Sequence, residues 1–270
     1  MQQKTKDIQK HFEGFLKTPS LWVGKPFYTF EPFKIAQQFT AFNLAIDANL
    51  RLGKYIERFV SFQLRQNPQI EILSENIQIQ REKTTLGELD CILLKNKKPI
   101  HLEVIYKFYL YDPSVGTDEI SHFVGPNKKD TLRSKLNKLK EKQLPLLYSK
   151  ECILYLEKLP LEIDQIVQQV YFKAQLFIPY SAKNIQLHQL NSECIVGFYF
   201  HRNEISRLNT ATFYIPKKKD WLVIPHTNVD WLSYSDFIDQ SKDFLERQFS
   251  PLCWVKNPKG VLEKFFFVWW

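Results

Sequence analysis

The sequence predicts a mixed α/β (α+β) fold with an αβββαβ core and a β-rich, aromatic C-terminal extension. Three observations carry this. Apolar residues recur near every 3.6 positions before Gln66, alternate with period two between Ile70 and Leu110, and return to helical spacing at Leu132, Leu136 and Leu139.

Each element follows in order. Residues 1–37 hold a short amphipathic piece (Ile8, Phe12, Phe15, Leu16) and a loop punctuated by Pro19, Pro26 and Pro32, which together suggest an irregular arm. A helix is expected from about Phe39 to Gln66, through Ala45, Leu50, Ile56, Phe59 and Val60. Gly53 weakens its middle and Pro68 ends it. Three strands in a meander fit residues 70–110, with turns expected near Ser74–Asn76 and Lys95–Lys98. A helix is expected over residues 128–143 and a strand or strand pair over residues 166–178. Beyond Pro179, strands are expected at Val196–Phe200, Thr212–Ile215, Trp221–Ile224 and Phe265–Trp270. Lys217–Lys219 reads as a turn and Tyr234–Phe249 as a short helix. The chain thus divides into an arm (1–37), a core (38–180) and an extension packed on the core (181–270).

Composition narrows the classes of function. The chain has 270 residues, 44% hydrophobic, 24% charged and 15% aromatic, which supports an ample core. The net charge of +8 favours an acidic partner such as nucleic acid or an anionic surface, although mild basicity also serves solubility. Cys91, Cys152, Cys194 and Cys253 are widely spaced with no C-x-x-C pair, and the polar N-terminus lacks a signal pattern. No apolar run is long enough to span a bilayer. A cytoplasmic protein without a membrane segment is the expectation. No Walker loop, dinucleotide glycine fingerprint or nucleophile elbow is present.

The chemistry concentrates in one hairpin. A two-residue loop pairs Lys95 with Lys98, and a four-residue loop pairs Leu94 with Pro99. Both give a register that sets Asp90 opposite Glu103. Alternation puts Leu89, Cys91, Leu93, Ile100, Leu102, Val104 and Tyr106 on a core face. Glu88, Asp90, Glu103 and Lys107 share the other with Ile92, Leu94, His101 and Ile105. Opposed like charges destabilise a sheet, so two facing carboxylates need a counter-charge. A divalent cation would supply it. A three- or five-residue loop would instead shift the register, and an exposed pair could be neutralised by Lys107 and solvent.

Gly87-Glu88-Leu89-Asp90, then Glu103-Val104-Ile105-Tyr106-Lys107, resembles the PD-(D/E)XK nuclease superfamily over roughly residues 39–178. Together with Lys107-Phe108-Tyr109-Leu110, Gly125-Pro126-Asn127 and Gln143-Leu144, these motifs look like an uncharacterised bacterial domain-of-unknown-function family grouped with those nucleases. The resemblance implies a restriction-endonuclease-like core and hydrolysis of phosphodiester bonds, in DNA ahead of RNA. It implies Mg²⁺, with Mn²⁺ as substitute, held by Glu57, Asp90 and Glu103 with the Val104 carbonyl, and Lys107 stabilising developing charge. Glu88 and Gln143 are secondary candidates, and a homodimer would suit duplex cutting.

One departure stands out. The superfamily lysine follows its acidic residue by two positions, where this chain has Ile105. Lys107 keeps the same face, but its Cα lies roughly 13 Å from that of Glu103. This feature favours the alternative, a degenerate nuclease fold acting as a nucleic-acid-binding or scaffold module. Lys128, Lys129, Arg133 and Lys135 could track a phosphate backbone or form a solvated helix face. His101, His122 and His226 read as structural or surface residues, and Phe265–Trp270 as a buried terminal strand rather than a base-stacking platform.

Overall fold

The structure, a computed structural model, describes residues 2–36, 38, 40–182 and 185–270. In chain order its elements are α1 (Gln2–Lys17), β1 (Glu31–Pro32), α2 (Leu52–Arg65), β2 (Ile70–Arg81), β3 (Thr84–Lys95), β4 (Lys98–Tyr111), β5 (Phe123–Val124), α3 (Leu132–Lys138), α4 (Lys150–Leu156), β6 (Val167–Pro179), β7 (Ile195–His201), β8 (Thr212–Tyr214), α5 (Tyr234–Glu246), β9 (Leu252–Lys256) and β10 (Leu262–Val268). The fold is α+β, with ten strands and five α-helices among the described residues. None of these helices is long and apolar enough to cross a membrane.

The chain forms two compact units, each built from stretches far apart in sequence. One comprises Ser20–Tyr106 and Ser134–Lys173, the other Met1–Pro19, Lys107–Arg133 and Ala174–Trp270.

In the first of these units the strand order is β2-β3-β4-β6, with β1 parallel to β6. Its core gathers Ile77, Ile79, Leu89, Ile92, Leu147, Cys152, Leu156 and Ile166. The three-strand meander forms as expected, but its first turn does not. Asn76 takes φ 54° inside β2, and the pairing shifts between Ile72 and Ser74 as a bulge. The reversal comes instead at Glu82–Lys83, where Arg81 pairs with Thr84. The second turn is as read. Asn96 and Lys97 stand at φ 51° and 64°, the left-handed pair of a two-residue hairpin whose twist matches its strands. Lys95 pairs with Lys98 and Leu94 with Pro99, which is the expected register.

α2 is shorter than expected. It begins at Leu52, leaving 40–51 irregular, while Phe39 lies outside the described residues. Phe42 is buried with its ring 5.1 Å from Phe59 and 4.6 Å from Phe62. In a continuous helix Phe42 and Phe59 would stand about 25 Å apart. Packing of this aromatic pair therefore overrides the local periodicity. The expected helix over residues 128–143 is also broken. Lys128 sits in a turn at φ 55°, α3 starts at Leu132, and the winding becomes π-helical over Leu139–Gln143 and 3₁₀ over Leu144–Tyr148. Its three leucines are buried as read.

In the other unit the order is β6-β7-β10-β9-β8, and β5 pairs with β4. β7 lies parallel to both β6 and β10, while β9 runs antiparallel to β10 and β8. The core is aromatic: Phe198, Phe200, Phe213, Phe237, Phe265 and Phe267 are among its buried side chains. β7, β8, α5 and β10 fall where expected, and β9 was not foreseen. Trp221–Ile224 is not a strand. Lys218–Leu222 forms a 3₁₀ turn that seats Trp221 edge-on to Phe266 at 5.2 Å. The N-terminal piece is a full helix, α1, burying Phe12, Phe15 and Leu16. Gly14 is required there, because a Cβ would lie 1.9 Å from the Leu222 carbonyl oxygen.

Candidate functional site

Five elements of one unit converge on Asp90 and Glu103. The backbone ladder of the β3–β4 hairpin runs from Lys95↔Lys98 to Cys91↔Leu102 and ends there. At the next position a side chain takes over. Asp90 Oδ2 accepts the Val104 backbone N–H at 2.8 Å. The strands are thus held together by a carboxylate where a regular amide–carbonyl bond would otherwise run.

Glu103 is fully buried. Its Oε1 lies 3.1 Å from His101 Nε2, and its Oε2 accepts from Gln143 Nε2 at 2.7 Å. The histidine proton can be placed. Gln168 Nε2 donates to the Leu144 carbonyl at 2.7 Å and approaches His101 Nδ1 at 2.9 Å, so Nδ1 accepts and Nε2 carries the hydrogen. Burial pushes the His101 pKa down to about 4, keeping the ring neutral at pH 7. Glu103 therefore receives two donors from neutral groups, which fix its rotamer without cancelling its charge.

A charge imbalance follows. Burial pushes Glu103 up to about 7, against the pull of Lys135 and of the Asp90 backbone N–H. Burial and then the charge of Glu103 push Asp90 up to about 7, opposed by the Val104 amide, Lys54 and Lys135. Burial also raises Glu57, partly offset by its bond to Lys54. Two carboxylates this poorly solvated call for a proton or a cation.

The other candidates sort themselves around this pair. Glu57 and Glu88 are both held by Lys54, whose Nζ lies 2.9 Å from Glu57 Oε2, bonds Glu88 Oε1, and reaches Asn76 Oδ1 at 3.1 Å. Burial works against the Lys54 charge, but its bonds to Glu88 and Glu57 outweigh that and raise its pKa. Glu57 is thus engaged by an ammonium. Among the described residues no three His, Cys, Asp or Glu side chains are grouped so as to hold a metal ion. The donor set that fits a hard cation is Asp90 with Glu103. Mg²⁺ commonly takes one or two carboxylates and keeps water in its remaining positions, and each carboxylate oxygen has a second lone pair to offer.

Lys107 does not join the pair. Its Nζ is 2.7 Å from Asp130 Oδ2, and both side chains are over a third exposed. The basic residues expected to track phosphates are divided as well. Lys128 pairs with Asp112 at 2.8 Å and lies 3.8 Å over the Trp270 ring, and Arg133 pairs with Asp118. Lys129 is exposed. Lys135 turns to Gln143, with Nζ–Oε1 at 2.7 Å.

The face division expected for the hairpin is too simple. Ile92, His101, Glu103 and Ile105 are all buried although they share the carboxylate side, so both faces of β4 are covered here. Sequence reasoning did not single out Lys54 or Gln168, and it read His101 as structural or surface without foreseeing its bond to Glu103. Two of them left a signal. His101 has the parity of Glu103 two residues on, and Lys54 stands three residues before Glu57, one helical turn away. Gln168 arrives through tertiary packing alone.

A family model described as Domain of unknown function (DUF1853) matches residues 32–264. No curated protein and no solved structure matches the chain.

Proposed function

We propose that this chain, which belongs to the domain-of-unknown-function family DUF1853, is a metal-dependent nuclease of the PD-(D/E)XK type that hydrolyses phosphodiester bonds, in DNA ahead of RNA. The observation that carries the reading is the desolvated pair Asp90 and Glu103, both with pKa values pushed up to about 7 at the end of a hairpin ladder. Shifted carboxylates occur in working sites and in structural networks alike, and what favours a site here is that they meet donors and cations from several elements at one point. With the two-residue β5 and the short α4 as insertions, the order α2, β2, β3, β4, α3, β6 follows the αβββαβ core that the resemblance implies.

Asp90 and Glu103 would hold Mg²⁺, or Mn²⁺ in its place. When bound, such an ion acidifies a coordinated water and polarises a phosphoryl oxygen. The chain's own residues supply the frame. His101 and Gln143 hold the Glu103 carboxylate in one orientation, and the Val104 amide holds Asp90. Lys54 keeps Glu57 and Glu88 together on the flank, where they add to the negative field. The four cysteines are free and buried, which suits a reducing cytoplasm. Two copies acting on two strands would suit duplex DNA.

A second reading has one observation behind it. The pairing of Lys107 with Asp130 leaves the usual strand lysine out of the site, which would suit a degenerate nuclease fold that binds nucleic acid or scaffolds.

The test is calorimetric titration of Mg²⁺ and Mn²⁺ into the wild type and the D90N/E103Q double variant, each assayed on plasmid and single-stranded DNA. Binding and cleavage lost together in the variant support the nuclease. Metal binding without cleavage supports the second reading. A folded wild type that binds neither ion removes the nuclease reading.

A further inference from the structure

The helix that delivers Lys135 changes its winding before it reaches Gln143. α3 is regular over Leu132–Lys138, and Leu139–Gln143 is π-helical. In a regular α-helix the eighth residue on stands about 80° around the axis from the first. A π turn closes its hydrogen bonds one residue later, so each turn takes up an extra residue and successive side chains advance less. This lag returns Gln143 to the side of Lys135, and the two meet at 2.7 Å. The same Gln143 amide donates to Glu103 at 2.7 Å. A lysine, a glutamine and the buried carboxylate thus form one chain of hydrogen bonds. π turns inside α-helices gather at functional sites.

The position of the charge agrees. Lys135 acts on both Asp90 and Glu103, drawing their pKa values down against burial. Lys135 is only partly buried, whereas Glu103 is fully so. Lys107 is committed to Asp130.

We propose that Lys135 fills the role left by the strand lysine: it is the cation that binds the phosphodiester at the Asp90–Glu103 pair. Gln143 is the positioning residue that ties it to Glu103. The assignment rests on the nuclease reading above. A lysine ammonium is a compact point charge suited to a phosphate oxygen, and it can come from any element that brings it to the right place.

The test uses the full chain as wild type, K135M, K135R and K107M. Binding of a single-stranded DNA oligonucleotide is measured in Ca²⁺ across a salt series, and cleavage of the same oligonucleotide in Mg²⁺. K135M should lose roughly tenfold in affinity, the scale of one charge-assisted hydrogen bond. Its slope of log affinity against log salt should shrink by about 0.7, the loss of one phosphate contact on a single strand. A merely structural role would not change that slope. K135R should keep the wild-type slope, and K107M should stay near wild type in binding and cleavage. K135Q keeps a polar head without the charge and gives the same readout if the methionine variant does not fold. If K135M or K135Q behaves as wild type, or K107M alone loses binding, the assignment fails and the nuclease reading stands. If the wild type neither binds nor cleaves, both fail.

Discussion

Both units bury ionisable groups, and they do so in opposite ways. In one, Asp90 and Glu103 sit with Lys54, Lys135, His101 and Gln143 around them, and their pKa values rise to about 7. In the other, Lys264 is buried beside neutral partners, donating to Gln175 Oε1 at 3.0 Å and to the Trp221 carbonyl at 2.7 Å. Burial alone brings its pKa down to about 7. A shifted pKa is therefore common to both places and distinguishes neither. The carboxylate pair differs in that like charges are opposed and several elements send donors and cations to the same point. Convergence, more than burial, makes it the candidate site.

The comparison can be broken by truncation. Glu103→Ala would strip one buried donor, His101 Nε2, and one partly buried donor, Gln143 Nε2, of their acceptor. It should cost on the order of 3 kcal/mol in chemical denaturation at pH 6, since each unpaired buried donor costs roughly 1–3 kcal/mol. Lys264→Met removes a charge whose partners are neutral and should be close to neutral at pH 6, or stabilising by about 1–2 kcal/mol. Equal losses in both variants would erase the distinction.

A pH series sharpens it. The folded-state pKa values of Asp90 and Glu103 are raised, so the folded state holds protons that the unfolded chain has released. Their contribution is present below about pH 4 and is lost as pH climbs to about 7. Lys264 is lowered from 10.5 to about 7, so the unfolded chain holds the extra proton, and stability recovers as pH rises from about 7 toward 10.5. The pair and the lysine together should give a shallow minimum near neutrality. D90N/E103Q should flatten the acid limb alone, and K264M the alkaline limb alone.

Metal gives a smaller and more selective effect. Millimolar Mg²⁺ should raise the melting temperature of the wild type by a few degrees at pH 8, where the pair is ionised, and by less at pH 6. At 100 times the dissociation constant the linkage is worth about 2.7 kcal/mol. K264M should keep this response and D90N/E103Q should lose it. The smallest effect concerns the hairpin that sets the register. Lys97 occupies φ 64°, so Lys97→Gly should stabilise by about 0.4–1 kcal/mol without altering metal binding.

How much of this was legible in the sequence depended on how local the cause was. The Asn96–Lys97 turn and the resulting register are local, and pairing parity alone placed Asp90 near Glu103. Gln143 was in reach because its motif was visible, although the π turn that aims it was not. The surroundings of the two lysines were hidden for a related reason. Parity put Lys107 on the carboxylate-bearing side of β4 but said nothing about its bond to Asp130, while Lys135 was read as a phosphate-tracking residue and its bond to Gln143 depends on the winding beyond it. Phe42 shows the same limit for the fold. It falls within the stretch expected to be helical, yet it lies in an irregular segment and packs on Phe59 and Phe62. In the C-terminal region β7, β8 and β10 were legible as continuous aromatic and β-branched runs, while β9 was not. Trp221 also departed from the expected strand, its ring standing edge-on to Phe266 from a 3₁₀ turn.

The bond from the Val104 amide to Asp90 Oδ2 has a spectroscopic consequence. An amide bonded to a carboxylate senses its ionisation directly, so the Val104 resonance should shift as Asp90 titrates and again when a cation competes for the same oxygen. Its hydrogen-exchange rate should follow. One backbone proton, observable without any substrate, would then report on the state of the site at every pH.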